Sequence, residues 1–422
     1  MGMTGQAGIW PSLKETEFLF RRRIAKSRFS GRAKYYLDLI RGPLWELRVL
    51  RHRNWVREEA RRRNVRYCHP EAAQRIRRQV RQKGIEPKSK GDFRIYTVYY
   101  SRDAWTGDNL SPAFRKFGAV RHFELLADWS NPYRWFREDR TESNRRLLED
   151  LICWQRESPI DVFFFYGGGI ELQESTLERI NELGIATFAL NCDDMSGLSK
   201  GKIDGIEIGL ASIARYFDMC FTITLATCEE YLLAGANPYF LPLAANPEIY
   251  RRLNLNRDIP LAVFGQRHGV REALVRDLQR KGLRVQAYGP GWDSGRISAE
   301  KAAELFNRTE IVVGHAHHTS FGVSSSVKVT TLRQRDFEIP MCGALHLTTF
   351  DPDLQRCYAV GEEVVCYRTV DDLYDTIEYL LNQPRRMQEI RDAGWRRAQR
   401  DHTWERRIEQ VFRIMGVLES SG

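Results

Sequence analysis

Arg333 to Gly343 reads RQRDFEIPMCG, and the apolar run Ala344-Leu345-His346-Leu347-Thr348 follows it. Guanidiniums at 333 and 335 precede a carboxylate at 338 by a few residues. That combination suits a ligand with phosphates and vicinal hydroxyls. The cations take phosphate oxygens, and the carboxylate accepts from hydroxyls. A sugar-nucleotide carries both groups. An ordinary helix-to-strand corner with a capping acid would be spelled the same way, so the stretch needs its context.

Four other stretches could bear chemistry. Phe264-Gly265-Gln266-Arg267-His268-Gly269 ends a strand and opens a helix near Val270. Glycine at such a turn lets backbone N–H groups approach a phosphate, and the helix N-terminus favours the anion. Arg267 and Arg271 would add charge-assisted bonds. No complete GxGxxG is present, so a plain αβ turn is the alternative. Tyr288-Gly289-Pro290-Gly291-Trp292 would either shape a pocket for a nucleotide base or form a tight turn with a packed Trp292. Gly314-His315-Ala316-His317-His318 invites a metal, but alternate residues at a strand end point in opposite directions, and no HExxH or paired Cys accompanies it. No metal site is expected. His317 is instead a candidate contact to sugar or phosphate, or a loop histidine without a chemical role. Ser324-Ser325-Ser326-Val327-Lys328, leading to Arg333 and Arg335, makes a cationic, hydroxyl-rich approach to Glu338.

A proton acceptor would have to come from elsewhere. Asp108, in Trp105-Thr106-Gly107-Asp108-Asn109, follows one strand, and Asp193 and Asp194 follow another. All three fall at carboxyl ends of strands, where cleft residues belong. Each would serve equally as a turn or N-cap acid. Gly167-Gly168-Gly169 after Tyr166 lies on the same side, open to a substrate or simply making the turn.

These stretches are positioned by an alternation of strands and helices. Arg94 to Tyr100, Val120 to Leu125, Ile160 to Tyr166, Ile185 to Leu190, Met219 to Ile223 and Tyr239 to Leu243 read as strands. Pro112 to Phe117, Glu142 to Gln155, Leu172 to Leu183 and Thr227 to Ala234 read as helices between them. After a polar, Pro-bounded connection from Pro247 to Pro260 the rhythm restarts at Leu261 to Gly265. It continues through Val285 to Tyr288, Ile311 to Val313, Ala344 to Thr348 and Val364 to Tyr367, and ends in helices at 385–400 and 404–415. Continuous apolar strands between amphipathic helices predict parallel sheets covered on both faces. The expected fold is α/β, with two Rossmann-like doubly wound domains facing a cleft.

The chain has 422 residues and is 42% hydrophobic, a soluble globular composition with room for two or three cores. No apolar run approaches the ~20 residues that span a bilayer, and the N-terminus lacks the apolar core of a secretory signal. The eight cysteines are scattered without a CxxC pair and read as reduced thiols of a cytoplasmic protein. The net charge of +10 is uneven: residues 1–90 hold 24 Lys and Arg against 8 Asp and Glu, and the rest is slightly acidic. Residues 12–83 read as helical pieces broken near Gly31, Gly42-Pro43 and Pro70. Leu44, Leu47 and Leu50 recur at helical spacing among Trp45, Trp55 and many arginines. Such an arm could lie on an anionic membrane surface, dock a partner protein, or pack as a solvated helix on the body. No nucleic-acid motif accompanies it, so nucleic acid is not the expected partner.

Taken together, RxRDFEIPMCG with its following strand, Asp351-Pro352-Asp353-Leu354, Gly361-Glu362-Glu363-Val364-Val365 and the tail from Ala393 to Arg407 resemble the CgeB-like glycosyltransferases. These belong with the group 1 transferases of the GT-B fold. The resemblance is strong over about residues 320–410 and leaves the basic arm unexplained. Beyond a basic helical arm and linker over 1–90, it implies an acceptor domain over 91–247, a donor domain over 248–400, and a C-terminal helix over 401–422 that packs back on the first domain. It implies that Glu338 holds the donor ribose, that Lys328 and Arg335 face the diphosphate, and that Gly265, Arg267 and Gly289 line the donor side. Retaining members often carry a second Glu eight residues earlier, and here that position is Thr330. The expected activity is metal-independent transfer of a sugar from a nucleoside-diphosphate sugar, with no cofactor beyond that donor. The acceptor would be a lipid-linked glycan, a glycan or a small molecule. The enzyme would be cytoplasmic, docked on the inner face of a membrane if the arm serves that purpose. A sugar-nucleotide epimerase or hydrolase of the same fold, or a non-catalytic scaffold using the arm, are the alternatives.

Overall fold

The computed structural model describes residues 30–100, 105–124, 131–267, 269–315 and 329–419. Thirteen strands are present among them: β1 (Phe93–Tyr99), β2 (Gly118–Glu124), β3 (Val162–Tyr166), β4 (Ala186–Asn191), β5 (Ser199–Ile203), β6 (Ile206–Gly209), β7 (Met219–Thr222), β8 (Pro238–Phe240), β9 (Ile259–Phe264), β10 (Val285–Tyr288), β11 (Thr309–Val313), β12 (Leu345–Thr349) and β13 (Val365–Tyr367). They form a six-stranded sheet of order β2-β1-β3-β4-β7-β8 and a five-stranded sheet of order β10-β9-β11-β12-β13. Every pairing in both sheets is parallel.

The period of two in the strands decides the layers. Along β3, Val162 and Phe164 enter one core while Phe163 and Phe165 enter the opposite one. Along β9, Ala262 and Phe264 face one side and Leu261 and Val263 the other. Both faces of each sheet are therefore buried, which is why the strands are apolar without alternation.

In each sheet the strand order reverses once next to its first strand, between β1 and β3 and between β9 and β11. Connections leave the sheet in opposite directions there, opening a crevice at the carboxyl ends. The chain crosses back at its C-terminus. Thr403 accepts from the Arg406 N–H at 3.2 Å and starts the helix Trp404–Met415. Phe412 then packs on Phe93 and Phe188 of the first sheet and on Phe117 just before β2, with ring centroids 4.8, 6.3 and 5.2 Å away.

The N-terminal helix corrects one reading. It runs unbroken from Ser30 to Arg62, through Gly42 and Pro43. A proline removes one backbone bond from a helix; burial of Glu46, Val49, Val56 and Ala60 further along anchors the remainder to the body. The chain breaks instead at Asn64, whose φ is +53°, and Pro70 sits in the first turn of the next helix, His69–Arg81.

The stretch from Gly84 to Gly91 is no free linker. The Lys88 N–H donates to Val417 O at 2.8 Å, and the Glu419 N–H donates to Lys88 O at 3.0 Å. Lys83 lies 2.6 Å from the fully buried Asp218. The antiparallel hairpin β5–β6, absent from the sequence reading, is short, polar and Gly-rich, so it carries little periodic signal.

Gly343, which closes the opening motif, has φ +66°, and a Cβ there would overlap the Arg252 side chain. Gly343→Ala should therefore cost about 1–3 kcal/mol of stability. Urea unfolding would read this as a lower midpoint at unchanged slope.

Candidate functional site

The helix Arg335–Met341 sets the site. Asp336, in its first turn, accepts from the Arg333 N–H at 2.7 Å and also contacts His346 Nε2 at 2.8 Å. That pair ties the helix start to β12. Pro340 falls near the helix end, where only one turn remains to be disturbed. With the helix so fixed, Glu338 faces a cavity of about 420 Å³ between the two sheets.

Asp108, Gly265, Gly289, Arg335 and Glu338 all line this cavity. Its apolar end is made by Phe264, Tyr288, Ile297 and Phe306, with Tyr288 stacked on Phe264 at 5.1 Å. Gly265 has φ +127° and Gly289 φ +126°, and a Cβ on Gly289 would stand 2.7 Å from Gly265 O. The two strand ends can close on one another only as glycines. The cavity thus combines an apolar slot, a carboxylate and the Arg335 guanidinium.

Glu338 is 7% exposed, and burial pushes its carboxyl up to about 7, against the opposing pull of Arg335, the Tyr250 hydroxyl and the Gln334 amide. Tyr250 lies in the polar connection between the sheets, where local sequence pattern offers no sign of a site residue.

Arg335 is part of a basic cluster. Arg271 packs against Gly265, whose Cβ would meet its Cζ at 3.0 Å, and its Nη1 donates to Gln266 O at 3.2 Å. Burial, with the charges of Arg335 and Arg333, holds the Arg271 guanidinium down at about 9. Burial likewise lowers Arg333, and its buried Nε has no partner among the described residues. Three guanidiniums that disfavour one another at a strand-to-helix turn are arranged for an anion that relieves the repulsion.

Arg267 is turned elsewhere. It pairs with Glu272 at 2.7 Å and lies over the Trp292 ring, 5.3 Å from its centroid. Trp292 is packed into the turn, its indole donating to Gly265 O at 2.9 Å. Arg271, one helical turn on from Arg267, is the residue of that turn packed on Gly265 and within electrostatic reach of Arg333 and Arg335. A basic residue at either position reads the same in sequence; only side-chain direction separates them. Lys328 and His317 lie outside the described residues. His315 is buried, its Nδ1 3.3 Å from the Tyr367 hydroxyl.

The three acids divide. Asp108 lines the same cavity as Glu338, on a turn held by Asn246, whose amide donates to Asp108 O at 2.6 Å. Desolvation, then the Glu300 charge, raises its carboxyl. Asp193 lines a second cavity, of about 490 Å³, at the β1/β3 crevice with Tyr100, Tyr166, Gly167 and Lys200. It is close enough to Arg333 to stabilise that guanidinium. Asp194, one residue on, is buried at 1% exposure and accepts from the Tyr231 hydroxyl at 3.0 Å. Burial pushes its carboxyl up to about 7. It belongs to the first domain's interior, not to the cleft.

Two amides of the Gly167-Gly168-Gly169 turn serve the chain itself. Gly168 and Gly169 N–H groups donate to the buried Glu171 carboxylate at 3.1 and 2.8 Å. Glu171 shapes this wall and went unnoticed in the sequence; an acid two residues after a glycine triplet was its one signal.

Comparison with known proteins bears on these halves differently. Residues 267–413, which carry the arginine cluster and Glu338, match the family described as Glycosyl transferase-like. No curated protein matches the chain. Among solved structures, a sucrose-phosphate synthase from Thermosynechococcus elongatus is similar at TM-score 0.50 and 13% identity, over 76% of this chain and 98% of its own. A glycosyltransferase from Rickettsia africae is similar at TM-score 0.50 and 9% identity, over 78% of this chain and 99% of its own. At these identities the likeness is one of fold: the GT-B architecture of two Rossmann-like domains facing a cleft.

Proposed function

We propose that the chain is a glycosyltransferase that moves a sugar from a nucleoside-diphosphate sugar to an acceptor hydroxyl, related to the CgeB-like members of group 1. The observation that carries this reading is the cavity lined by Glu338 and Arg335 at the β9/β11 switch point, with Arg271 and Arg333 close enough to Arg335 to feel its charge. Residues 248–400 bind the donor: the base in the apolar slot, the ribose hydroxyls on Glu338, and the diphosphate on the arginines. Residues 91–247 bind the acceptor, in the crevice that Asp193 lines.

In the reaction the acceptor oxygen bonds to the anomeric carbon as the bond from that carbon to the diphosphate breaks. The electron pair leaves with the diphosphate and is stabilised by the guanidiniums. Those fixed charges do what a metal ion would otherwise do, so transfer should proceed unchanged in excess chelator. The acceptor proton passes to Asp193, which lines the first-domain crevice and acts on Arg333, whereas Asp108 lines the cavity assigned to the nucleotide.

Calorimetry with a panel of nucleoside diphosphates tests the donor assignment. One of them binds the wild type, and Glu338→Ala abolishes that binding; if none binds, the reading fails. Asp193→Asn should lower the transfer rate by about 10²-fold or more while leaving nucleotide affinity unchanged. A full rate in Asp193→Asn, with loss in Asp108→Asn, would move the proton acceptor to Asp108.

On the helix Ser30–Arg62, Leu44, Leu47 and Trp55 are exposed among Arg48, Arg51 and Arg61, and we assign this face to an anionic membrane surface. No helix among the described residues is long and apolar enough to cross a membrane. Binding of the protein to vesicles of anionic phospholipid, unchanged on Leu44→Glu with Trp55→Glu, would refute that assignment.

A further inference from the structure

A third cavity, of about 510 Å³, opens where the N-terminal helix meets both domains. None of the residues around Glu338 lines it. Four guanidiniums reach it from three elements: Arg53 and Arg57 from the helix Ser30–Arg62, Arg356 from the turn Leu354–Arg356, and Arg368 just past β13. Arg53 and Arg57 stand four residues apart, on one helix face.

The Arg53 Nε and Nη2 atoms are buried and have no hydrogen-bond partner among the described residues. Burial, then the neighbouring Arg57, lowers this guanidinium from its ordinary value. Arg368 lies over the Phe350 ring, 3.9 Å from its centroid.

Two carboxylates also line the cavity, and both are engaged by the chain. Asp351 accepts from the Asp353 and Leu354 N–H groups at 2.7 and 3.3 Å. Asp353 accepts from the Leu225 N–H at 3.1 Å, and Arg356 Nε is 3.6 Å from its other oxygen. Four cations against two such acids leave the cavity net positive by two.

A buried guanidinium without a partner costs free energy that a multidentate anion returns. Planar guanidiniums arriving from different directions match the oxygens of a phosphate better than a single carboxylate. Threonine hydroxyls at 224, 330 and 349 stand beside them and suit a hydroxylated body attached to that phosphate.

We propose that this seam cavity binds the phosphate group of a small hydroxylated molecule, at a site separate from that of the nucleoside diphosphate. Its walls come from the N-terminal helix, the loop after β7 and the loop after β12. Occupancy therefore favours the arrangement in which helix and both domains meet.

Titration calorimetry of the full chain with inorganic pyrophosphate, at physiological ionic strength, tests this. The wild type should bind two equivalents, one of them displaced by the nucleoside diphosphate that the protein prefers. Arg271→Met should keep the undisplaced site. Arg53→Gln with Arg57→Gln, or Arg356→Gln alone should the pair fail to fold, should weaken that site at least about tenfold and leave nucleotide binding intact. Pyrophosphate binding that the nucleotide displaces completely overturns the proposal, as does a second site indifferent to both variants. Loss of nucleotide binding in Arg271→Met alone bears on the donor site and not on this one.

Discussion

Arg271→Met should lower affinity for the nucleoside diphosphate, and the rate of transfer from its sugar, by about 10²–10³-fold. Methionine keeps most of the side-chain length over Gly265 while removing the charge, so the turn keeps its packing. The guanidinium stands in a buried group of three, held down at about 9 by burial and by Arg335 and Arg333. At neutral pH it is still protonated, and the like charges of Arg335 and Arg333 act on it in the empty protein. The variant should fold without ligand and should lose the stabilisation that nucleotide gives. Thermal unfolding with and without nucleoside diphosphate separates the two terms. A variant that melts lower when empty and binds nucleotide normally would show Arg271 to be a packing residue.

Glu338→Gln should weaken nucleotide binding about 10–100-fold at pH 8, because an amide oxygen replaces a carboxylate facing two hydroxyl donors. The pH dependence is the sharper signature. Burial sets the Glu338 carboxyl at about 7 in the empty site. Ribose hydroxyls donate to the ionised form, so each pH unit below 7 should cost about tenfold in apparent affinity. The glutamine variant should lack that slope.

The sign for stability is the reverse. A carboxyl raised above its unfolded value keeps its proton in the folded state between its ordinary pKa and about 7. Its contribution to stability is greatest below the ordinary value and is lost as pH rises towards and past 7. Nucleotide, which favours the ionised form, restores stability above 7. Affinity measured from pH 6 to pH 8, flat in the wild type, would remove Glu338 from the site.

Much of this site was legible in RQRDFEIPMCG because its parts are local. Arg335, Glu338 and Gly343 lie within a helix and the turn that ends it, and local geometry puts Glu338 on one face. The strands were legible too, since burial on both faces leaves unbroken apolar runs such as that of β3. Arg267 and Arg271 were not separable, because the choice rests on Glu272 and Trp292 drawing one of them aside. Asp193 and Asp194 were likewise indistinguishable as adjacent acids. The backbone sends one to the crevice and the other to Tyr231 in the interior.

The N-terminal helix marks the same boundary from the other side. Its charge and its exposed leucines are plain in composition, and they left open whether it meets a membrane, a partner protein or the body of the chain itself. Tertiary structure lays it across both domains: His52 contacts Glu230 in the first at 2.9 Å, and Glu46 accepts from the Val329 N–H in the second at 3.1 Å. By itself the amino-acid sequence determined the alternating layers and the chemistry of the motif beside β12, because periodicity and short-range spacing are local properties. Which arginines share a cavity, which aspartate meets solvent and where the basic helix lies were decided only by the packing of distant segments. Those outcomes depend on side-chain direction and burial, which no window of neighbouring residues encodes.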